Sequence, residues 1–258
     1  MSESTVYRWH EGALHLLDYC DMTDTSISAA DSWLVTDGSS LALDLHRHRF
    51  FEAAAGLLDD LDAFWHASIT AIPRSGDWFP RFEVQVRGGA PLAVFRLRSA
   101  PQLLRSVRLA SHPGADPRTV PGTKGPDTAV LLRIRTEAQA IGADEAVILS
   151  ADGFVVEGAY SAILWWRGDV LCAPSPELDR VDSVTARSII TLATALGIEV
   201  YYESIEPYEL DGCEIWAVSA LHGIRIVTSW IDGPAPAELP GRLAIWRARL
   251  ERLRRPLP

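Results

Sequence analysis

Apolar and polar positions repeat with two different periods in the first hundred residues, which predicts a mixture of strands and helices. Short apolar runs flank Glu11-Gly12 and Asp37-Gly38, a pattern typical of two β-hairpins. Over residues 46–66 the apolar side chains recur at steps of three and four, which predicts a single helix with one buried face. A period of two then returns in residues 81–88 and 92–98, which predicts two strands joined by a glycine turn.

The second half of the chain alternates strands and helices. An amphipathic helix is predicted to end at about residue 141, and Asp152-Gly153 is predicted to join two apolar strands. A helix over residues 183–196, two further strands and a final helix from about residue 238 are predicted after them. The Pro-, Gly- and Asp-rich segment 111–125 marks the expected domain boundary, and residues 107–110 before it could add a third strand to the N-terminal sheet. The pattern predicts an α/β (α+β) protein of two domains, residues 1–115 and 116–258.

Composition narrows the function classes. At 258 residues with 48% hydrophobic residues the chain can bury a core, and no segment reaches the roughly 20 apolar residues of a membrane span. We therefore expect a soluble globular protein without a secretory signal. The formal net charge of −10 disfavours nucleic-acid binding, and the arginine-rich C-terminal stretch is interpreted as a solvated helix face. Cys20, Cys172 and Cys213 are scattered, which favours a reducing compartment, by default the cytoplasm.

Two residues in the middle of the chain are candidates for chemistry. Lys124, the only lysine, lies in a Gly/Pro-rich turn, and Glu157 ends an apolar strand. Taken alone, each has an ordinary interpretation, an exposed lysine and a solvated or turn-capping carboxylate. His46 and His48 have no third ligand nearby in sequence, so a metal site is not expected. Neither a G-x-S-x-G elbow nor a glycine-rich nucleotide motif occurs.

The surroundings of these two residues resemble a known family. Lys124 is followed about thirty residues later by Glu157, and Gly142-Ala143-Asp144-Glu145 and Asp152-Gly153 stand between them. This arrangement resembles the fold-type IV pyridoxal-phosphate enzymes, or class IV aminotransferases, which include branched-chain and D-amino-acid aminotransferases and aminodeoxychorismate lyase. The resemblance implies that Lys124 forms the Schiff base with the cofactor and that Glu157 faces the pyridine nitrogen and keeps it protonated.

The same resemblance implies a phosphate site made of three elements. Arg49 stands at the position of the family's phosphate-binding arginine, and Val184 and Thr185 open a helix whose free amides can bind an anion. Ser219 and Ala220, with Leu221 after them, match the third element, a strand end leading into a turn. On its own, Ser183 before the second element is more simply an N-cap.

Several positions depart from the family pattern. Ala162 stands where the family usually has an asparagine, Arg187 is displaced by one residue, and no tyrosine follows Lys124 closely. Substrate recognition therefore cannot be transferred, although a substrate carboxylate could meet one of three strand arginines that are otherwise expected to face solvent. These are Arg87, Arg96 and Arg98.

The resemblance implies an aminotransferase that binds pyridoxal 5'-phosphate between a small N-terminal and a larger C-terminal domain, with an amino donor and an oxo acid as substrates. It also implies a homodimer. Two alternatives remain open: a lyase of the aminodeoxychorismate type that releases pyruvate, and a degenerate homologue that binds a ligand or partner without catalysis. The substrate and the stereochemistry at its α-carbon are not specified by the sequence.

Overall fold

The computed structural model describes residues 4–17 and 25–258, and these divide into two compact units. The first comprises the described residues up to Leu103 together with Thr123–Thr128 and Leu253–Pro258, and the second comprises Leu104–Gly122 and Ala129–Arg252. The domain limit between residues 115 and 116 stays a prediction. Cys20 lies outside the described residues.

The described residues among the first hundred form eight strands and two helices. In chain order these are β1 (Ser4–His10), β2 (Ala13–Leu17), β3 (Thr25–Ser32), β4 (Val35–Thr36), β5 (Ser39–Ser40), α1 (Leu43–Ala53), α2 (Leu61–Thr70), β6 (Asp77–Trp78), β7 (Arg81–Arg87) and β8 (Ala90–Arg98).

The main sheet of the first unit is antiparallel and has the strand order β2-β1-β8-β7-β3. The hairpin predicted at Glu11-Gly12 joins β1 to β2, and the one predicted at Asp37-Gly38 joins β4 to β5 in a smaller sheet. Both hairpin predictions are confirmed, as are the two strands β7 and β8. Glu11, Gly12, Asp37 and Gly38 all have positive φ angles, as type I′ turns require.

The prediction of one helix over residues 46–66 is wrong, because two helices occupy this stretch. Helix α1 ends at Ala53, Gly56 adopts a φ of 73°, and α2 begins only at Leu61. A left-handed residue breaks the helical hydrogen-bond ladder at little cost when it is glycine. The helical period continues across the break because both helices face one core, where the rings of Phe50 and Trp65 lie 6.2 Å apart.

That core consists of aromatic rings packed against one another in stacked, tilted and edge-to-face pairs. Trp33, Phe64, Phe82 and Phe95 complete it, and each is fully or almost fully buried. Such rings bury the largest areas of any side chains and so dominate the stability of a small core. The apolar face of β7 and β8 therefore packs on the helices, which leaves the opposite face of the sheet for polar side chains.

The remainder of the chain up to Glu251 forms eight strands, three α-helices and one 3-10 turn. In chain order these are β9 (Ser106–Ser111), α3 (Thr128–Ala140), β10 (Glu145–Leu149), β11 (Val155–Gly158), β12 (Ala162–Arg167), β13 (Val170–Pro174), α4 (Val184–Ala195), β14 (Val200–Glu203), the 3-10 turn (Pro207–Leu210), β15 (Glu214–Ser219), β16 (Gly223–Ile231) and α5 (Arg242–Glu251).

The eight strands form one mixed sheet with the order β11-β10-β9-β16-β15-β12-β13-β14. A bridge between Gly158 and Ser161 joins the end of β11 to the start of β12, although four strands separate these two in the sheet. The sheet must therefore curl until its β11 edge meets β12, and apolar side chains fill the interior. These include Val107, Leu109, Val147, Ile163, Trp165, Ile215, Ala217 and Val227. The predicted α/β class is confirmed, but β9 joins this sheet and not the N-terminal one.

The C-terminal arginines are used mainly within the chain, so their interpretation as a solvated face is wrong in part. The Arg242 guanidinium lies 4.3 Å from the Trp166 ring centre and donates to the carbonyl of Gly168, and Arg247 donates to the carbonyl of His222. After α5, a last strand β17 (Arg255–Pro256) pairs with β5 in the first unit. In the part of the chain that the structure describes, no helix has the length and apolar character needed to cross a membrane.

Candidate active site

The loop that carries Lys124 is fixed to strand β3 of the first unit. The amide of Ala30 donates to the carbonyl of Lys124 at 2.7 Å. Gly125 has a φ of 137°, and a β-carbon at this position would lie 2.8 Å from the Ala30 nitrogen, so only glycine permits this approach. Thr128 closes the loop, since its amide and its hydroxyl both donate to the Gly125 carbonyl. Lys124 is half-buried, and backbone hydrogen bonds hold its own carbonyl and that of the next residue, Gly125.

A buried ionic cluster of the same unit contains Arg49. Its Nε and Nη2 donate to the two carboxylate oxygens of Asp31 at 2.8 and 2.7 Å, and His46 Nδ1 lies 3.0 Å from Asp31 Oδ1. Burial would raise the pKa of Asp31, but Arg49 and His46 outweigh it and hold that pKa well below its usual range. An ionised Asp31 only accepts hydrogen bonds, so His46 Nδ1 carries the proton and donates it.

His46 is neutral in this cluster. Burial lowers its pKa, Asp31 offsets part of that effect, and the positive charges of Arg49 and Lys124 lower it further. The Lys124 side chain is thus close enough to His46 to act on it electrostatically. Within the first unit, two of the predicted site residues, Lys124 and Arg49, thus both act electrostatically on His46.

The polar face of the first sheet carries more cations than anions. Glu83 is buried, pairs with Arg81, and accepts from Arg96 Nε at 3.0 Å. Arg98 lies on the same face two residues beyond Arg96, and it donates to the carbonyl of Phe79 at 3.1 Å and approaches the Ser32 hydroxyl at 3.5 Å. Among the described residues no carboxylate forms an ion pair with Arg98, whereas Arg96 is already paired.

In the second unit, Glu157 is buried at the end of β11 and forms an ion pair with Arg118. The Arg118 side chain is 2% exposed and also binds Asp116, with Nη2 to Oδ2 at 2.6 Å. The amide of Val181 lies 3.4 Å from Glu157 Oε1. Burial would raise the pKa of Asp116, but its hydrogen bonds with Arg118 lower it overall. Arg118 thus serves two carboxylates at once.

Helix α4 begins three residues after Val181. Ser183 is its N-cap, and its hydroxyl accepts from the Ala186 amide at 3.3 Å, as its ordinary interpretation requires. Val184 and Thr185 are the first two helical residues, whose amides point out of the helix end and have no acceptor within the helix. Because Glu157 binds Val181, the second unit brings this helix end near Glu157.

Ser219 and Ala220 lie where β15 ends and turns into β16. The Ser219 hydroxyl accepts from the His222 amide at 3.2 Å, and Gly223 closes the turn with a φ of 65°. Helix α4 contacts β15, the strand that leads into this turn. Both residues are half-buried.

The chemistry of these groups fits a phosphorylated pyridine aldehyde. A lysine amine can bind the aldehyde, a buried carboxylate can meet the ring nitrogen, and helix-end amides with an arginine can bind the phosphate. The donor sets lie in separate units, Lys124 and Arg49 in the first and the others in the second.

Sequence reasoning missed Asp31 and Arg118, which bind Arg49 and Glu157. Arg118 lies in the Pro/Gly/Asp-rich segment, where an arginine ordinarily suggests exposure. The available signal was its spacing of two from Asp116, which allows a local Asp–Arg pair. Asp31 offered a clearer signal, a carboxylate that directly follows Ala29 and Ala30 near the end of β3.

Comparisons with known proteins agree with this chemistry. A family model for class IV amino-transferases matches residues 28–230. A probable branched-chain-amino-acid aminotransferase from Synechocystis is 33% identical over 76 residues, which is 30% of this chain and only 25% of that relative's length.

Solved structures resemble nearly the whole chain. A fold IV-transaminase from Curtobacterium pusillum is 20% identical, with a TM-score of 0.80 over 96% of this chain and 97% of that one. A hypothetical aminotransferase from Mycobacterium tuberculosis, in a form bound to alpha-ketoglutarate and PMP, is 19% identical, with a TM-score of 0.80 over 96% and 98%. At such identities the structures establish the fold, and the family model establishes the kinship. The chain belongs to the class IV aminotransferase family and is a pyridoxal-phosphate-dependent enzyme of fold type IV.

Proposed function

We propose that this enzyme transfers an amino group between an amino acid or amine and an oxo acid, with Lys124 as its catalytic residue. The observation that carries the proposal is the fixation of the chain's only lysine on β3 through the Ala30 amide and Gly125. A flexible surface lysine has no need of a glycine that admits backbone-to-backbone contact. A catalytic nucleophile, in contrast, must be held in place by its backbone, because catalysis requires the reacting atoms to be aligned in advance.

Each site residue has a proposed task. The Lys124 amine holds the cofactor and, once released by the substrate, carries a proton to and from the substrate α-carbon. Glu157 holds a proton at the pyridine nitrogen. Arg49 and the amides of Val184, Thr185, Ser219 and Ala220 bind the phosphate. Pyridoxal phosphate supplies, when bound, the ring that accepts the electrons of the deprotonated carbon.

Arg98 is the proposed partner of the substrate carboxylate. It lies on the same sheet face as Arg81 and Arg96, with a single carboxylate, Glu83, between the three. Burial and then its neighbour Arg81 lower the pKa of Arg98 to about 10, which still leaves it charged at neutral pH. A half-buried guanidinium without a carboxylate partner can bind an anionic group at a lower desolvation cost than a solvated one.

The test of Arg98 compares amino donors that have or lack a carboxylate. Arg98→Met should raise KM for amino-acid donors by about tenfold or more and change KM for amine donors little, since one charged hydrogen bond contributes about 1.5–3 kcal/mol. Arg105→Met, an exposed arginine just before β9, serves as the control. Equal effects of Arg98→Met on both donor classes would exclude this role.

The test of the reaction itself is a half-reaction in a spectrophotometer. Adding an amino donor alone should convert all bound cofactor to pyridoxamine phosphate, and a later oxo acid should restore the original spectrum. Release of pyruvate without pyridoxamine phosphate would favour the lyase. No spectral response to any donor would favour the degenerate homologue, although retention of Lys124, Glu157 and Arg49 together argues against a pure binding role.

We further propose a cytoplasmic homodimer. Cys172 and Cys213 are both buried as free thiols in the described part of the chain, and burial raises the pKa of Cys172 to about 11, so these thiols suit a reducing compartment. Strand β14 is a sheet edge that exposes Tyr201 and Tyr202, which makes it a candidate contact for a second copy. Light scattering after size-exclusion chromatography tests the dimer. A measured mass near 28.3 kDa, that of one chain, would contradict it.

A further inference from the structure

A buried ion pair in the second unit lies apart from the groups assigned to the cofactor. Glu145 opens β10 and is 1% exposed, and its Oε2 lies 3.5 Å from Nη2 of Arg225 on β16. Both side chains point into the curled sheet, because Val147 and Val227, two residues further along their strands, belong to its apolar interior. Removing two charges from water costs several kcal/mol per ion, so such a pair is weak evidence for stability in itself.

Glu145 holds the turn that follows Glu157. Its Oε1 accepts from the Tyr160 amide at 3.2 Å, and its Oε2 accepts from the Ser161 hydroxyl at 3.3 Å. The turn is tightly packed, since a β-carbon on Gly158 would lie 2.5 Å from the Ser161 hydroxyl oxygen. One carboxylate thus fixes residues 158–161, which begin directly after Glu157.

Arg225 lies on β16, close to the turn of Ser219 and Ala220. It stands two residues beyond Gly223, which closes the turn that carries Ser219 and Ala220, and it pairs across the sheet with Ala217 on β15. Its Nε is buried and has no hydrogen-bond partner in the described chain. The ion pair with Glu145 is therefore the main polar contact of the Arg225 side chain. This contact connects β16 to the turn that Glu145 holds.

We propose that Glu145 and Arg225 are positioning residues that lock the turn after Glu157 to the turn of Ser219 and Ala220, so that both meet the cofactor in one geometry. The inference rests on the proposed function of those two turns. Neither residue touches reacting atoms. Their contribution is preorganisation, which fixes the distance between the carboxylate for the ring nitrogen and the donors for the phosphate before the cofactor binds.

The test uses a matched pair of glutamate variants. Glu145→Gln removes the charge but keeps an amide oxygen for the Tyr160 amide. Glu214→Gln is the control, since Glu214 is also buried, opens β15 of the same sheet, accepts from Trp216 Nε1 at 2.8 Å and lies beside Arg242. For each variant, the melting temperature of the cofactor-free protein is measured, and pyridoxal phosphate binding is titrated by quenching of tryptophan fluorescence.

We expect both variants to lower the melting temperature, and only Glu145→Gln to weaken cofactor binding, by about tenfold. Binding by Glu145→Gln within about twofold of wild type would overturn the positioning role alone. Absence of binding by the wild type would overturn the proposed function and this inference with it. If Glu145→Gln does not fold, Ser161→Ala replaces it, with an expected loss of roughly threefold from one neutral hydrogen bond.

Discussion

At the scale of single residues, arginines neutralise several of the buried carboxylates of the described chain. Asp31 has Arg49, Glu83 has Arg81, and Glu157 has Arg118. A buried ion pair stabilises the fold little in total, because burying both charges removes them from water. Removing only the arginine is costly, because the buried carboxylate then loses its hydration without gaining a partner.

Arg118 gives the clearest stability prediction. Arg118→Met removes the cation from both Asp116 and Glu157, and we expect the free energy of unfolding of the cofactor-free protein to fall by about 3–5 kcal/mol. Urea denaturation measures this. Arg133→Met is the control, since Arg133 forms an exposed pair with Glu137 and should change stability by less than about 0.5 kcal/mol. Comparable losses in the two variants would show that burial of Arg118 has no energetic consequence.

His46 predicts a pH dependence. Because burial keeps the folded-state pKa of His46 below its usual 6.5, unfolding takes up a proton when the pH falls below about 6.5. The free energy of unfolding should then fall with pH by up to about 1.4 kcal/mol per unit from this group. Asp31 acts at lower pH, since its folded-state pKa lies below the usual 3.8, so its contribution to stability is complete above that pH and is lost progressively as the pH falls below it.

His46→Asn keeps a donor for Asp31 and removes the titrating ring. In this variant the slope of the free energy of unfolding against pH between 6.5 and 5.5 should become shallower by up to about 1.4 kcal/mol per pH unit, the contribution of one proton. Urea denaturation at three pH values measures the slope, and His48→Asn, at an exposed position on the same helix, should leave it unchanged. Identical slopes in wild type and His46→Asn would mean that His46 is not held neutral.

At the scale of elements, the Lys124 loop depends on one glycine. Gly125→Ala would place a methyl group 2.8 Å from the Ala30 nitrogen, and the loop would have to leave β3. Because a small misplacement of a reacting group is costly, the rate of covalent attachment of pyridoxal phosphate should fall by about 100-fold. Stopped-flow absorbance measures that rate.

Gly122→Ala is the matched control in the same loop, because Gly122 has no positive φ and no neighbour within 4 Å of an added β-carbon. It should react as the wild type does. If the two alanine variants attached the cofactor equally fast, docking of the loop on β3 would not matter for the reaction.

At the scale of the whole molecule, local patterns predicted more than long-range ones did. Alternation of apolar residues was enough for β7 and β8, and turn chemistry was enough for both N-terminal hairpins, because these features are set by neighbours in sequence. The gap between α1 and α2 was missed because a shared core preserves the helical period across Gly56. The placement of β9 in the second sheet and the return of β17 to β5 depend on distant partners, which periodicity does not encode.

The candidate site divides in the same way. Lys124, Glu157 and Arg49 were proposed as site residues from the resemblance to the family, and these roles stay predictions, whereas Ser183 has the capping role that its position suggests. The partners Asp31 and Arg118 were not found, because a charge buried by its partner has the same sequence signature as a solvated one. Sequence therefore identifies candidate reacting groups better than the groups that hold them.

The central claim is that Lys124 binds pyridoxal phosphate covalently, and borohydride reduction followed by peptide mass mapping tests it most directly. Since Lys124 is the only lysine, the chain's α-amino group is the sole competing primary amine. We predict a reduced cofactor adduct on the peptide that contains residue 124 in the wild type, and none in Lys124→Ala that retains its fold by circular dichroism. An adduct on the α-amino group alone, or no adduct at saturating cofactor, would contradict the assignment.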